Sequence, residues 1–530
     1  MKKSLFFLFF ILISSVSYAE DVFTLDKAIS GALANNEQIT IAQKKAEAAQ
    51  AKVSQAFSGF WPSIALSSNY ARSFSSPIIS EFRVGGIDTD VVFGFNEPSD
   101  VKSWQATLSQ NLFTFGKLEN ALLIALDGAQ AAKEEYRRAK QDVIYDTINA
   151  YFNVIKAVRM SQYAQESVDM ARAHMEQVEN MLKVGMAVKS DLLRSEVAFL
   201  SAKQNLIKAE NSVELAKSVF NKATGRGINE AVSIADSDFE SFDKAEYRTY
   251  PQLLEDAYKY RPDWKQVKYS LSMSEKNLNM SKANWLPSVV AQADYGWNNT
   301  NYSSARINYD QTNWTVAAAA SWKIFDGFDT QSKIKEASAG LDESRANASL
   351  AKKAVELDVK QAYLNYISAR DVIGTAQKAL ESARENFEAA ELRFRNGLST
   401  NIEVLDAQAS LTKAEIDLIT AQFDLCIARA QLRRSSGLLD LDYSDKESSP
   451  KKVSIEGIAE YIDIEGGFPG LTDAYGNKYN LTGPKAEEIL VSLRTSGRKK
   501  IKVQGYLKDN GISLRMWGAV MYVDEYKFVL

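Results

Sequence analysis

Side chains able to do covalent or metal chemistry are nearly missing from this sequence. In 530 residues it holds one histidine, His174, and one cysteine, Cys426. That excludes disulfide frameworks, Cys/His zinc sites and Ser-His-Asp or Cys-His nucleophilic machinery. Cys426 falls on an apolar stripe and reads as a small packing residue. His174 falls off the stripes and reads as a solvated helix residue. No catalytic residue, metal site or cofactor is assigned. The side chains left to act on a solute are acidic. Glu403 and Asp406 stand three residues apart, which places both carboxylates on adjacent parts of one helix face. Thr400-x-x-Glu403 is also a capping box, with the helix dipole favouring the acid. A cap and a charged surface are both open roles for Glu403.

Composition narrows the class. The 63 basic and 67 acidic residues give a net charge of -4, so no basic excess exists to release phosphate counterions and nucleic acid is excluded as a partner. With 25% charged and 45% hydrophobic residues, the chain is neither a polytopic helical membrane protein nor wholly disordered. Only 9 prolines leave room for very long helices.

The N-terminus carries an export pattern. Lys2 and Lys3 precede an apolar run from Leu5 to Ile13, and Ser17-Tyr18-Ala19 is a small-x-small cleavage site. Residues 1–19 are expected to be a signal peptide. The run is too short to span a bilayer, which takes about 20 residues. No later segment spans one either, so membrane insertion would have to be as a β-barrel.

The remainder is duplicated. Residues 32–70 align without gaps to 257–295, placing Trp61-Pro62-Ser63 on Leu286-Pro287-Ser288 at an offset of 225. From Leu112-Phe113 onward the offset is 212, with Gly185 on Gly397 and Gly225 on Gly437. The difference falls between Tyr70 and Phe113, where Ser75–Asp100 reads as a long Gly/Pro/Asp loop. Each unit reads helix, strand, loop, strand, long helix, break, helix. Four strands of about ten residues alternate apolar and polar side chains, as in 103–113 and 313–324; a transmembrane barrel and a half-buried soluble sheet share that period. Four strands cannot close a barrel alone, since about eight is the practical minimum, so oligomerisation is expected. From Asp329 to Phe394 there is no proline, and small or apolar residues recur every three or four positions: Val355, Val359, Ala362 through Ala390 and Phe394. The first unit repeats this stripe 212 residues earlier. Such a repeat is a coiled-coil seam, on a helix of about 100 Å. After Gly397 the seam is expected to run through Leu405, Ala409 and Thr412, with a second stripe at Leu411, Leu418, Leu425 and Leu432.

Taken together, the signal, the duplicated unit, the four strands and the long helices resemble the TolC-type outer-membrane efflux and export channel family over residues 22–440. Local motifs agree: Phe60-Trp61-Pro62 and Trp285-Leu286-Pro287 before strands, Gln110-Asn111-Leu112-Phe113 at a strand end, and Arg395-Asn396-Gly397 followed by Glu403-Val404-Leu405-Asp406-Ala407-Gln408. The resemblance implies a mixed α and β membrane protein located in the outer membrane and extending into the periplasm. It implies a homotrimer whose twelve-stranded β-barrel continues into a long α-helical periplasmic tunnel. It further implies docking to a periplasmic adaptor (membrane-fusion) protein and to an inner-membrane pump or ABC transporter. In such proteins acidic residues after the Gly break ring a closed periplasmic entrance; the matching positions are Glu403 and Asp406 in the second unit and Asp191 in the first. Iris-like shifts of helices at Gly185 and Gly397 would open it. The chain departs from the family in having Phe394 where a tyrosine often sits and Ser399 where an arginine can sit. The latch of the entrance must therefore use other contacts, with Arg194, Arg393 and Arg395 as candidates.

The expected organisation is a signal at 1–19, a channel domain at 20–439 (units 22–237 and 247–439), a linker at 440–452 and an accessory domain at 453–530. That last stretch holds ten of the 26 glycines. Strands are expected at Val453–Ile464, Lys500–Tyr506, Ile512–Trp517 and Glu525–Leu530, a hairpin turn at Tyr475-Gly476-Asn477, and a helix at Pro484–Leu493. This resembles a small OB-like barrel, in contact with the adaptor, peptidoglycan or the channel's waist. The leading function is a passive outer-membrane conduit of a tripartite efflux pump or type I secretion system. The alternative is a non-conducting periplasmic coiled-coil scaffold.

Overall fold

The computed structural model describes residues 22–74, 76, 78–84, 87–93, 98–235, 248–302, 307–444, 452–462, 468–474, 478–482, 484–496, 498–512 and 519–528. The expected signal at 1–19 and the Tyr475-Gly476-Asn477 turn lie outside the described residues. By contacts the chain divides into two compact units, Met1–Asp440 and Leu441–Leu530.

The duplication dominates the first unit. Helices α1 (Leu25–Asn35) and α2 (Glu37–Ser58) lead to strand β2 (Ser63–Phe74) and, further along, β5 (Pro98–Phe113). Then come α3 (Lys117–Lys183) and α4 (Lys189–Ala223). The second copy runs α5 (Tyr250–Tyr260), α6 (Pro262–Lys282), β7 (Ser288–Tyr302), β8 (Ile307–Ser321), α7 (Asp329–Arg395) and α8 (Asn401–Ser435). Helices α3 and α7 are each 67 residues long, and α4 and α8 each 35. Their ends are related by the same offset of 212 that aligned the sequence. Each long helix follows two successive left-handed residues, Phe115-Gly116 and Gly327-Phe328. A short parallel pair, β1 (Val22–Phe23) with β6 (Ser233–Ile234), lies beside α3, where Tyr151 Oη donates to the Ala235 carbonyl at 2.8 Å.

The four principal strands form one antiparallel sheet in the order β2-β5-β7-β8. They run 12 to 16 residues, longer than the ten expected. Register aligns apolar rows on one face: Ile64, Leu108, Ala293 and Val316, then Leu66, Ala106, Tyr295 and Trp314. Polar rows alternate with them; Thr107 Oγ1 and Gln105 Nε2 both donate to Asp294 Oδ1, at 2.7 and 2.8 Å. The apolar rows are not covered: Ile64, Leu66, Trp314 and Val316 are 72–76% exposed. Among the described residues, no helix is long and apolar enough to cross a membrane.

The stretch Ser75–Asp100 is not simply a loop, because β3 (Ile78–Val84) and β4 (Ile87–Phe93) pair as an antiparallel hairpin. Gly85-Gly86 between them is a two-residue hairpin signal, and Ile, Val and Phe on both sides favour strands.

The two helical hairpins pack through α3 and α8, which run antiparallel. Phe152 stacks near Phe423 (6.0 Å between centroids), Gln408 Nε2 donates to the Ser167 carbonyl at 3.3 Å, and Arg434 reaches Asp142 at 2.6 Å. Val143, Thr147, Ala150, Val154 and Ala157 are buried as the seam requires. Small residues let the backbones approach. In α8 the seam position is corrected at its start: Leu405 is half-buried and Ala409 exposed, while Val404, Ala407 and Leu411 are buried. The first turns of α8 face the α3–α7 side, so the second stripe carries the burial there.

The second unit begins with a short helix, α9 (Leu441–Ser444), inside the expected linker. Five strands follow: β9 (Lys452–Ile462), β10 (Phe468–Asp473), β11 (Lys478–Thr482), β12 (Lys499–Ile512) and β13 (Ala519–Phe528). They form a closed barrel in the order β10-β11-β13-β12-β9, with β11 and β13 parallel. Helix α10 (Pro484–Ser496) connects β11 to β12 and buries Ile489 and Leu493 against Leu471, Ile501 and Val503. The sequence reading placed a hairpin turn between β10 and β11 without giving the two strands bounds, and ended a strand at Tyr506 that continues to Ile512; the rest of the strand expected at Ile512–Trp517 lies outside the described residues.

Candidate functional site

Both long hairpins turn at a glycine. Gly185 has φ +75° and Gly397 φ +70°, the left-handed region. There a Cβ costs about 1–2 kcal/mol. The same bonds close each turn: Met186 N donates to the Met181 carbonyl, and Leu398 N to the Arg393 carbonyl, both at 2.8 Å. They satisfy carbonyls that the helix end would leave without partners. A Cβ added at either glycine meets nothing within 4 Å, so the backbone conformation alone demands glycine.

Immediately after the turns come the acids. Asp191 and Glu403 are the third residues of α4 and α8 and are repeat-related. Each folds back on its own cap. Val188 N donates to Asp191 Oδ2 at 3.4 Å, and Thr400 Oγ1 donates to Glu403 Oε1 at 3.3 Å. Ser399 Oγ also donates to Glu403 Oε2 at 2.7 Å, and Arg393 Nη2 lies 3.7 Å from that oxygen. The Ser399 hydroxyl, then Thr400 and Arg393, hold the Glu403 carboxyl below the ordinary glutamate range. Asp406 lies on α8 beyond the cap and is exposed. Of the arginines considered for a latch, Arg393 reaches Glu403, Arg395 engages Glu391 at 2.5 Å, and Arg194 is exposed on α4.

The two turns are joined by a polar cluster that sequence reasoning missed. His174 is not a solvated helix residue: it is 6% exposed, and its Nε2 lies 2.6 Å from Asn401 Oδ1. Asn401 Nδ2 donates to the Asp191 carbonyl at 3.0 Å. This contact brings the starts of α4 and α8, and hence Asp191 and Glu403, to one place. Beneath them Val178, Ala390, Phe394, Val404 and Ala407 form a small core. Phe394 is part of that core and stacks on the His174 ring at 5.1 Å. The only available signal was position: the stripe repeated 212 residues earlier passes through Met175, counterpart of Phe387, and His174 is its neighbour. Burial elsewhere on the same interface raises the carboxyl of Glu415, which lies 3.9 Å from Arg384.

The strand-start motifs stand at the opposite ends of the long helices and take no part in this cluster. Pro62 directly precedes β2 and Pro287 directly precedes β7, where a missing N–H is tolerated. Trp61 and Leu286 beside them are 55% and 44% exposed. Trp322 Nε1 donates to the Trp285 carbonyl at 3.0 Å, tying the end of β8 to the start of β7. Among the described residues, no group of His, Cys, Asp and Glu could hold a metal ion.

The family model for outer membrane efflux proteins matches residues 28–226 and 253–438, one block for each copy of the unit. The chain is 23% identical over 459 residues to outer membrane protein TolC of Escherichia coli, covering 84% of this chain and 89% of that one. It is 22% identical to alkaline protease secretion protein AprF of Pseudomonas aeruginosa, covering 77% and 83%. In fold it is similar to the transmembrane channel CusC, with a TM-score of 0.67 at 20% identity over 79% of this chain and 93% of that one.

Proposed function

The chain belongs to the outer membrane efflux protein family, and from that premise we propose that three copies close a single conduit across the outer membrane. The chain is an outer-membrane channel for efflux or secretion and not an enzyme. The observation that carries the assembly is the sheet. Each copy offers four long strands with two open edges and a bare apolar face. Three copies supply twelve strands, which exceeds the about eight needed to close a barrel. Closure pairs β8 of one copy with β2 of the next, removes every edge, and turns the apolar rows toward lipid. A non-conducting scaffold would give that apolar face no role.

In this reading α3, α4, α7 and α8 are staves of a periplasmic tunnel, and their turns at Gly185 and Gly397 form its entrance. Six carboxylates from Glu403 and Asp406, with three more from Asp191, surround the axis and favour cations over anions. A periplasmic adaptor and an inner-membrane pump or ABC transporter deliver the solute. Residues 1–19 act as the signal, 20–439 as the channel and 440–452 as a linker. Residues 453–530 form an accessory OB-like module, supported by the strand order and by the helix between β11 and β12. Light scattering on detergent-solubilised protein tests the assembly: the account expects the mass of three chains, and a monomer at all concentrations would overturn it.

A further inference from the structure

Asn401 is the first residue of α8, and its side chain is held from the other hairpin. Its Oδ1 accepts from His174 Nε2 of α3 at 2.6 Å and lies 3.2 Å from Ser195 Oγ of α4. Ser195 shares its one hydroxyl proton between this oxygen and the Asp191 carbonyl, 3.0 Å away. Since the Asn401 amide nitrogen already donates to that carbonyl, its oxygen faces His174 and the imidazole must carry its proton on Nε2. His174, Ser195 and Asn401 are all at least nine-tenths buried. The repeat-related trio is Asn386, Ala407 and Lys189, so the duplication does not supply this tie a second time.

We propose that His174 is a positioning residue for the tunnel entrance: its neutral imidazole fixes Asn401, and with it the two turns and their acids, and protonation of the imidazole releases them. The inference rests on the reading that these turns form the entrance. His174 Nδ1 is buried and has no hydrogen-bond partner among the described residues. Protonation would place an N–H there with no acceptor, which costs about 1–3 kcal/mol for a buried donor, and more for a charged one. The groups facing the ring are uncharged on α4 (Ser195) and α8 (Asn401). From α7 come the Phe394 ring and the carboxylate of Glu391, itself paired with Arg395. Burial pushes the imidazole below its ordinary pKa, against smaller opposing effects of the Asn401 bond and Glu391. The sign follows. An imidazole freed from the cluster protonates first, so the closed arrangement holds fully above the ordinary histidine value. It loses ground as pH falls from there toward the lowered value.

Because the chain has a single histidine, the test is clean. Conductance of the full-length channel in planar bilayers is followed from about pH 7.5 to about pH 5. The wild type should pass several-fold more current at the acid end. His174→Gln, which can still donate to Asn401 but does not titrate there, should match the wild type near neutrality and stay flat. A rise in His174→Gln equal to that of the wild type, or a flat wild type, would overturn the proposal. Absence of pores at every pH would instead refute the channel reading.

Discussion

Arg434 of α8 grips Asp142 of α3 through both Nη2 (2.6 Å) and Nε (2.9 Å), at the end of the hairpin interface far from His174 and Asn401. The same guanidinium lies over the Tyr145 ring at 5.1 Å. Successive contacts along α3 and α8 pair residues at steadily opposed positions, 174 with 401, 167 with 408, 152 with 423 and 142 with 434. One interface thus has a charged clamp at one end and a neutral one at the other.

Breaking the charged clamp should have a modest cost. Both side chains are about one-third exposed, so Asp142→Ala is expected to destabilise by about 1 kcal/mol, near the upper end for solvated pairs. Exchanging the two charges, Asp142→Arg with Arg434→Asp, should recover part of it. Thermal unfolding in detergent reads both, and equal stability of Asp142→Ala and the wild type would remove the clamp from the account.

The hairpin turns respond to backbone conformation alone. Gly397→Ala should cost about 1–2 kcal/mol, and Gly397→Asn less, because asparagine tolerates the left-handed region. Gly185 should behave the same way. Since no atom crowds either position, leucine should cost about as much as alanine, and a much larger loss for leucine would show that sterics had been misjudged; denaturant unfolding makes the comparison.

The acids should set ion preference. Glu403→Ala with Asp406→Ala is expected to lower cation selectivity, read as the reversal potential across a salt gradient. An unchanged potential in the double variant would refute the ring. The Glu403 carboxyl is held low by Ser399, so its share of selectivity should persist as pH falls through the ordinary glutamate range and vanish only below it. Ser399→Ala should move that loss to higher pH.

The sheet faces predict opposite tolerances. Arginine at Leu66 or Trp314, on the bare apolar rows, should cost about 2–4 kcal/mol if the position lies at the bilayer midplane. Arginine at Gln105, on the polar face, should be tolerated. Yield of assembled channel in the outer membrane measures this, and equal yields would place the apolar rows away from lipid.

Much of this was legible in residue order, because duplication and periodicity are sequence properties. The offset of 212 located both long helices, and the paired glycines located both turns. What was hidden depended on which neighbour a residue meets. His174 looked solvated because seam position was inferred within one helix, whereas Asn401 reaches it from the other hairpin, 227 positions away. Likewise, the start of α8 buries Val404 and Ala407 rather than Leu405 and Ala409, a choice made by α3 and α7 rather than by α8. The β3–β4 hairpin was masked by glycine and aspartate between its apolar residues, which read as loop.

The central claim is that this chain conducts. Purified wild-type protein is added to a planar lipid bilayer at neutral pH and single-channel current is recorded. The account predicts discrete, long-lived, cation-selective steps whose selectivity falls in the Glu403→Ala, Asp406→Ala variant. A correctly folded trimer that leaves the bilayer electrically silent, at every pH and polarity, would contradict it.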